Sequence, residues 1–222
     1  SEGIPVFHAA GDAGCTTLGV GSGEPGQAYL YLGTSGWLAL TAEGRRGDPF
    51  AGIFTLRHPN PAWTVLVGPM MTAGGCLDWA RRTLLGDLPY ESVESLAAAA
   101  PPGSESVLFL PYLAGERSPF RDASARGAFI GLGHGAGPGH LIRSVMEGVA
   151  FGFRSIAEAM GASALAPPVL VAGGGARSAI WCQILADVLG VEVQRSAAFE
   201  DVAVRGAALV AARSLGWTSA WC

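Results

Sequence analysis

Leu170-Val171-Ala172-Gly173-Gly174-Gly175-Ala176-Arg177-Ser178-Ala179-Ile180, continuing through Trp181 to Val193, reads as a strand, a glycine bend, a helix and a second strand. Val169 to Ala172 is a short apolar run of strand length that ends on glycine. From Arg177 to Leu189, Ile180, Ile184 and Val188 recur on one face of a helix, and Val191 to Gln194 returns as a strand. A strand, glycines and a helix entrance are the ingredients of an anion or nucleotide site. The helix dipole and free N–H groups favour negative charge, and glycine lets a flat base or a phosphate approach the backbone. The same residues also suit a close-packed strand-to-helix turn with no ligand.

On the N-terminal side, Ile4 to Ala10 reads as a buried strand ending at Gly11-Asp12, and Ala13 to Val20 as a short helix. Gln27 to Leu32 and Trp37 to Thr41 flank Gly33-Thr34-Ser35-Gly36 as a two-strand hairpin. Phe54 to Arg57 and Trp63 to Val67 are two more strands. Thr72 caps a helix with Ala73, Leu77, Ala80 and Leu84 inward, and a second helix spans Glu91 to Ala100. After a strand at Val107 to Leu110 comes an ordered loop from Pro111 to Arg126. Gly139 to Met160 is the clearest helix. Ile142, Val145, Val149, Phe153, Ile156 and Met160 form its apolar stripe, and Arg143–Glu147 and Arg154–Glu158 occupy its other faces. Val202 to Leu215 is a last, alanine-rich helix. Strands first and then alternating helix and strand give an α/β domain with a mixed sheet flanked by helices.

Composition removes several classes of chemistry. The 222 residues are enough for one domain with a substantial core. All 14 basic residues are arginine, which excludes a Walker-type phosphate loop and a Schiff-base lysine. A net charge of −4 leaves no electrostatic footprint for nucleic acid. Mean hydropathy is +0.35, yet no apolar run is long enough for a membrane span. The apolar excess is expected to be covered in part by another domain. Cys15, Cys76, Cys182 and Cys222 have no metal-ligand spacing with one another or with the histidines, so no metal site is assigned. Free thiols suit a reducing, cytoplasmic setting. Gly21-x-Gly23-x-x-Gly26 matches a dinucleotide fingerprint as a string, but it contains Pro25 and leads into a strand, so it is rejected.

Three further motifs could carry chemistry. In Ala9-Ala10-Gly11-Asp12-Ala13-Gly14 a carboxylate stands at a strand terminus, where it can be a general base or simply a helix cap. Gly33-Thr34-Ser35-Gly36 is either a nest for phosphate oxygens or a plain hairpin turn. Gly115-Glu116-Arg117-Ser118-Pro119, with Asp122 and Arg126 beyond it, reads as a loop held by arginine–carboxylate pairs.

Taken together, these strings resemble the C-terminal domain of FGGY carbohydrate kinases over nearly the whole chain. GERSPFRDASARGAFIGL followed by LIRSVMEGVAFGFR is similar to the second family signature, and LVAGGGARSAIWCQILADVLGVEV to its adenosine-binding segment. FLPYLAGERSP points to the xylulokinase branch, with gluconokinase next. The resemblance implies an actin-like, ribonuclease-H-like ATPase domain that uses ATP and Mg²⁺ to phosphorylate a sugar hydroxyl. It implies Asp12 as catalytic base, Thr34 beside the terminal phosphates, Gly131 near the nucleotide, and Gly174 with Gly175 at the adenosine. Ser178 falls where some members carry an asparagine near the base. It also implies a second, N-terminal sugar-binding domain outside these residues, since family members are about twice this size and Ser1-Glu2-Gly3-Ile4 reads as the opening of a fragment. Sugar, ATP and that domain are the expected partners. A homodimer is left open, and the residues alone are expected to lack sugar kinase activity. A nucleotide-binding module without sugar chemistry is the competing class. The kinase reading expects Asp12 and the Gly173–Gly175 bend to face one cavity.

Overall fold

Alternation along one central strand sets the architecture of the computed structural model, which describes residues 3–161, 165–197 and 199–219. Strand β1 (Ala28–Leu32) sends Leu30 and Leu32 into one core and Tyr29 and Tyr31 into a second, on the opposite face of the sheet. To one side each strand runs antiparallel to its neighbour: β2 (Gly36–Glu43), then β4 (Trp63–Met70) and, at the edge, β3 (Phe54–Arg57). On the other side β7 (Val169–Ala172) and then β8 (Val193–Arg195) run parallel. The order is β3-β4-β2-β1-β7-β8, a mixed sheet as expected. A second ribbon pairs β5 (Leu108–Leu110) with β6 (Ala128–Ile130), a strand the sequence did not reveal.

Helices cover both faces. The larger core lies under α2 (Gly74–Leu84), α3 (Tyr90–Ala99), α4 (Pro138–Ala159) and α5 (Ala179–Leu189). The stripe expected of α4, from Ile142 to Met160, is fully buried. The other face is covered by α1 (Asp12–Val20) and α6 (Val202–Ser214). These two helices cross backbone to backbone. A Cβ at Gly19 would collide with the Val202 carbonyl, and one at Gly206 with that of Cys15. Cys222, Ser1 and Glu2, and part of the loop expected between Gly161 and Pro168, lie outside the described residues.

Four local expectations are corrected. Ile4 to Ala10 is not a strand: among the described residues no strand pairs with it, and Ile4 is 63% and Val6 92% exposed. Thr72 does not cap α2, which starts at Gly74 without a side-chain cap. Its first amides are satisfied instead by carbonyls of the β1–β2 turn: Ala73 N and Gly75 N donate to Thr34 O at 2.9 and 3.0 Å, and Gly74 N to Gly33 O at 2.7 Å. The glycine bend does not open α5 at once. Gly174–Arg177 forms a 3₁₀ turn, and Ser178 is the N-cap, its hydroxyl accepting from Trp181 N at 3.3 Å.

The fourth correction concerns α4. Arg143 and Glu147 do not lie on a solvated face; they are 5% and 6% exposed and paired at 2.8 Å. Arg143 also donates to Ala97 O and Ala100 O at the end of α3. Glu147 accepts from Gly103 N and Ser104 Oγ, both at 3.0 Å. Burial is tolerated because both ions are paired and hydrogen-bonded. Glu147→Ala strips the pair of one member and leaves a buried guanidinium. It is expected to lower the unfolding free energy by about 3–5 kcal/mol in denaturant titration, far more than loss of the exposed Glu158.

Candidate active site

A cleft of about 800 Å³ opens at the carboxyl ends of β1 and β7, where ligand sites of open α/β sheets lie. One wall is the end of β1 and its turn, Tyr31 to Thr34. Facing it are Gly174 and Gly175 of the 3₁₀ turn, followed by Arg177, Ser178 and Trp181. The floor and rim come from Gly74, Gly75, Asp78 and Arg82 of α2 and from Tyr90, Glu91 and Glu94 of α3. Thr34, Gly174, Gly175 and Ser178 are therefore brought together as the sequence suggested. A Cβ at Gly174 would meet nothing within 4 Å, so the backbone there stands open to the cleft. At Gly74 the reverse holds: a Cβ would lie 2.6 Å from Gly33 O, so the two turns are in contact through backbone alone.

Gly131 does not line this cleft. It has φ +83°, and a Cβ there would collide with the carbonyl of Ser106. Ser104, Glu105 and Ser106 are themselves left-handed, with φ of 49°, 51° and 72°. Gly131 is thus required by the close approach of β6 to that left-handed turn.

Asp12 does not line the cleft either, so the expectation that it and the Gly173–Gly175 bend face one cavity is not met: α1 packs on the other face of the sheet. It is the first residue of α1, exposed, with Oδ1 accepting from its neighbour Ala13 N at 2.8 Å. The helix cap position belongs to Gly11. The route from Asp12 to the cleft runs through aromatic side chains. Tyr29 Oη donates to Ala13 O at 3.2 Å and accepts from Trp37 Nε1 at 2.9 Å. Trp37 stacks on Tyr31, centroids 4.1 Å apart and planes within 8°, and Tyr31 is in the cleft wall. Burial, with a further contribution from the Asp12 charge, pushes the Tyr29 phenol up to about 12.

The sequence did not single out the acidic side of the cleft. Asp78 is held below its usual range by hydrogen bonds from Arg81 and Tyr90 and by the charge of Arg82. Its signal was present as Asp78–Arg82 spacing on α2. The Gly115–Pro119 loop is also built differently from expectation. Glu116 pairs with no arginine among the described residues; its Oε1 accepts from Met71 N at 3.0 Å and Arg117 N at 2.8 Å. Burial raises its pKa while the backbone donors oppose the rise. Arg117 lies over the Phe54 ring, and Asp122 accepts from Ser124 N and Oγ. Among the described residues no group of three or more His, Cys, Asp or Glu could hold a metal ion, and no helix is long and apolar enough to cross a membrane.

The doubly covered mixed sheet with a glycine-lined cleft at its strand ends is the ATPase fold of sugar kinases, and residues 28–215 match the FGGY family of carbohydrate kinases, C-terminal domain. The chain belongs to that family. It is 38% identical over 192 residues to the xylulose kinase of Escherichia coli K12, covering 86% of this chain and 39% of that protein. The xylulose kinase structure from Rhodospirillum rubrum superposes with a TM-score of 0.87 at 31% identity, over 100% of this chain and 45% of the other. The gluconokinase of Bacillus subtilis is 31% identical over 209 residues, covering 89% of this chain and 40% of that protein. The chain thus spans about two-fifths of the length of the curated relatives it matches.

Tyr29→Phe removes the acceptor of the Trp37 indole N–H and the bond to Ala13 O. A cost of about 1–3 kcal/mol is expected in equilibrium unfolding. The Trp37 indole proton resonance should move as well. In the unaltered chain Tyr29 and Cys76, both pushed up to about 12 by burial, contribute stability that is complete below their unfolded values of 10.0 and 9.0. That stability is lost as pH rises towards 12, so alkaline unfolding should set in between pH 9 and pH 12.

Proposed function

We propose that this chain is the nucleotide-binding domain of an ATP-dependent sugar kinase whose acceptor is xylulose. The observation that carries the reading is the meeting of the Thr34 turn with Gly174 and Gly175 in one cleft, the Gly174 backbone open to it and Gly175 packed close on Leu32. It agrees with the family to which the chain belongs, and the xylulose kinase of Escherichia coli K12 matches at 38% identity against 31% for the gluconokinase of Bacillus subtilis. ATP fits this cleft by chemistry. The phosphates fall to the backbone and hydroxyl of Thr34, and the adenosine to Gly174, whose backbone is open, with Gly175 and Ser178 beside it. Mg²⁺ keeps several waters and is held largely by phosphate oxygens in such sites. The described residues supply no acidic cage for it, and no step is assigned to it.

Asp12 is the base in this reading. Its carboxylate accepts the proton of the sugar hydroxyl as that oxygen bonds to the γ-phosphorus and the bond to the ADP oxygen breaks. Phosphoryl transfer asks little covalent chemistry of the protein, so alignment and charge stabilisation supply the rest. Asp12 is exposed and outside the cleft, which suits a group that meets the acceptor sugar rather than the nucleotide. The sugar itself would be held by the part of the kinase beyond these residues, and closure over the site would exclude water, the competing acceptor.

In the full-length kinase, Asp12→Asn is expected to lower kcat for xylulose roughly 10²–10⁴-fold. Calorimetric affinity for ATP should stay within about twofold. Undiminished turnover sinks the assignment of the base. Faster turnover of gluconate than of xylulose by the unaltered kinase would transfer the chain to the gluconate reading. Sugar-dependent ADP release by these 222 residues alone would contradict the need for a second domain.

A further inference from the structure

Glu116 has no part in the chemistry proposed above, yet it is an unusual group: a carboxylate 4% exposed, with no ion pair among the described residues. With only a minor contribution from the Arg117 charge, a carboxylate this buried persists only where hydrogen-bond donors replace water. Here the donors are backbone amides from two distant segments. Arg117 N and Ser118 N belong to its own loop, and Met71 N to the turn that joins β4 to α2. The second bond is the informative one, because that turn continues directly into Ala73, Gly74 and Gly75. Their amides hold the carbonyls of Gly33 and Thr34 at 2.7–3.0 Å. The contact has no slack: a Cβ at Gly74 would lie 2.6 Å from Gly33 O, and one at Gly75 3.0 Å from Thr34 O. A displacement of Met71 is therefore passed to Thr34 through backbone alone.

We propose that Glu116 is a positioning residue for the phosphate end of the cleft. By holding Met71 N it fixes the β4–α2 turn, and that turn in turn fixes Thr34. The proposal rests on the nucleotide reading of the cleft. Glu116 does not line the cleft itself. The opposite wall, Gly174 to Ser178, hangs from β7 and α5, and among the described residues it shares no hydrogen bond with this relay. The loss of Glu116 should consequently be felt by a nucleotide's phosphates and not by its nucleoside.

The test uses the full-length kinase and calorimetric titration with ATP, ADP and adenosine. Glu116→Gln keeps the shape and removes the charge. It is expected to weaken ATP and ADP roughly tenfold, the factor for one charge-assisted hydrogen bond, and to leave adenosine within about twofold. Glu116→Asp keeps the charge but draws the oxygens back by one methylene from Met71 N. It should show the same selective loss to a smaller degree, and it carries the test if the glutamine variant does not fold. Unchanged ATP affinity in either folded variant overturns the proposal. So does a parallel loss of ATP and adenosine, which is the mark of a residue that only holds its own loop. If the unaltered kinase binds neither ATP nor adenosine, the nucleotide reading itself falls and this inference falls with it.

Discussion

Three successive amides at the head of α2 are satisfied by two carbonyls of the β1–β2 turn, and the geometry of the cleft follows from that contact. A helix N-terminus leaves several N–H groups without partners, and a side-chain cap is the common remedy. Here the remedy is another turn of backbone. It works only if no side chain intervenes, which is why Gly74 and Gly75 stand at the contact. In this way the sheet and the helical layer are registered to each other at the strand ends, and Thr34 cannot move independently of α2.

The proposed base stands on the opposite face of the sheet, outside the cleft. Helix α1 is pinned to α6 by Gly19 and Gly206 and to the sheet by Tyr29. The sheet is two-sided, and β1 serves both halves of the site. Its alternating side chains give Tyr29 and Tyr31 to the α1 side, and its end gives Leu32 and the turn to the cleft. Tyr29, Trp37 and Tyr31 form a continuous contact between the first turn of α1 and the cleft wall. The two parts of the proposed chemistry, acceptor activation and nucleotide binding, are therefore held apart yet fixed relative to one strand.

What was legible in the sequence was local or periodic. The α4 stripe was readable because burial repeats every three or four residues on a helix, and every member proved buried. The glycine bend and the Gly33–Gly36 turn were readable because glycine marks places where backbone must come close. Beyond helix boundaries such as Thr72 and the Gly174–Arg177 turn, the failures were non-local. Arg143 and Glu147 satisfy the i,i+4 rule of a solvated pair, and only the packing of α3 and the Ser104 turn on α4 makes that pair buried. Gly131 was assigned to the nucleotide, but its neighbour is the Ser106 carbonyl, twenty-five positions away. Ile4 to Ala10 had the composition of a strand and found no sheet edge.

The order of residues by itself determined most of the secondary elements, the mixed α/β class and the family, because these depend on periodicity, turn chemistry and long collinear strings. Tertiary structure alone decided which motifs share a cavity. Thr34 and Gly174 meet because β1 and β7 are adjacent and parallel, so their carboxyl ends coincide. Asp12 stands outside because α1 packs on the other face of the sheet. Spacing along a chain carries no information about which face of a sheet a later segment will cover, and hydrogen bonds such as Glu116 to Met71 exist only once that choice has been made.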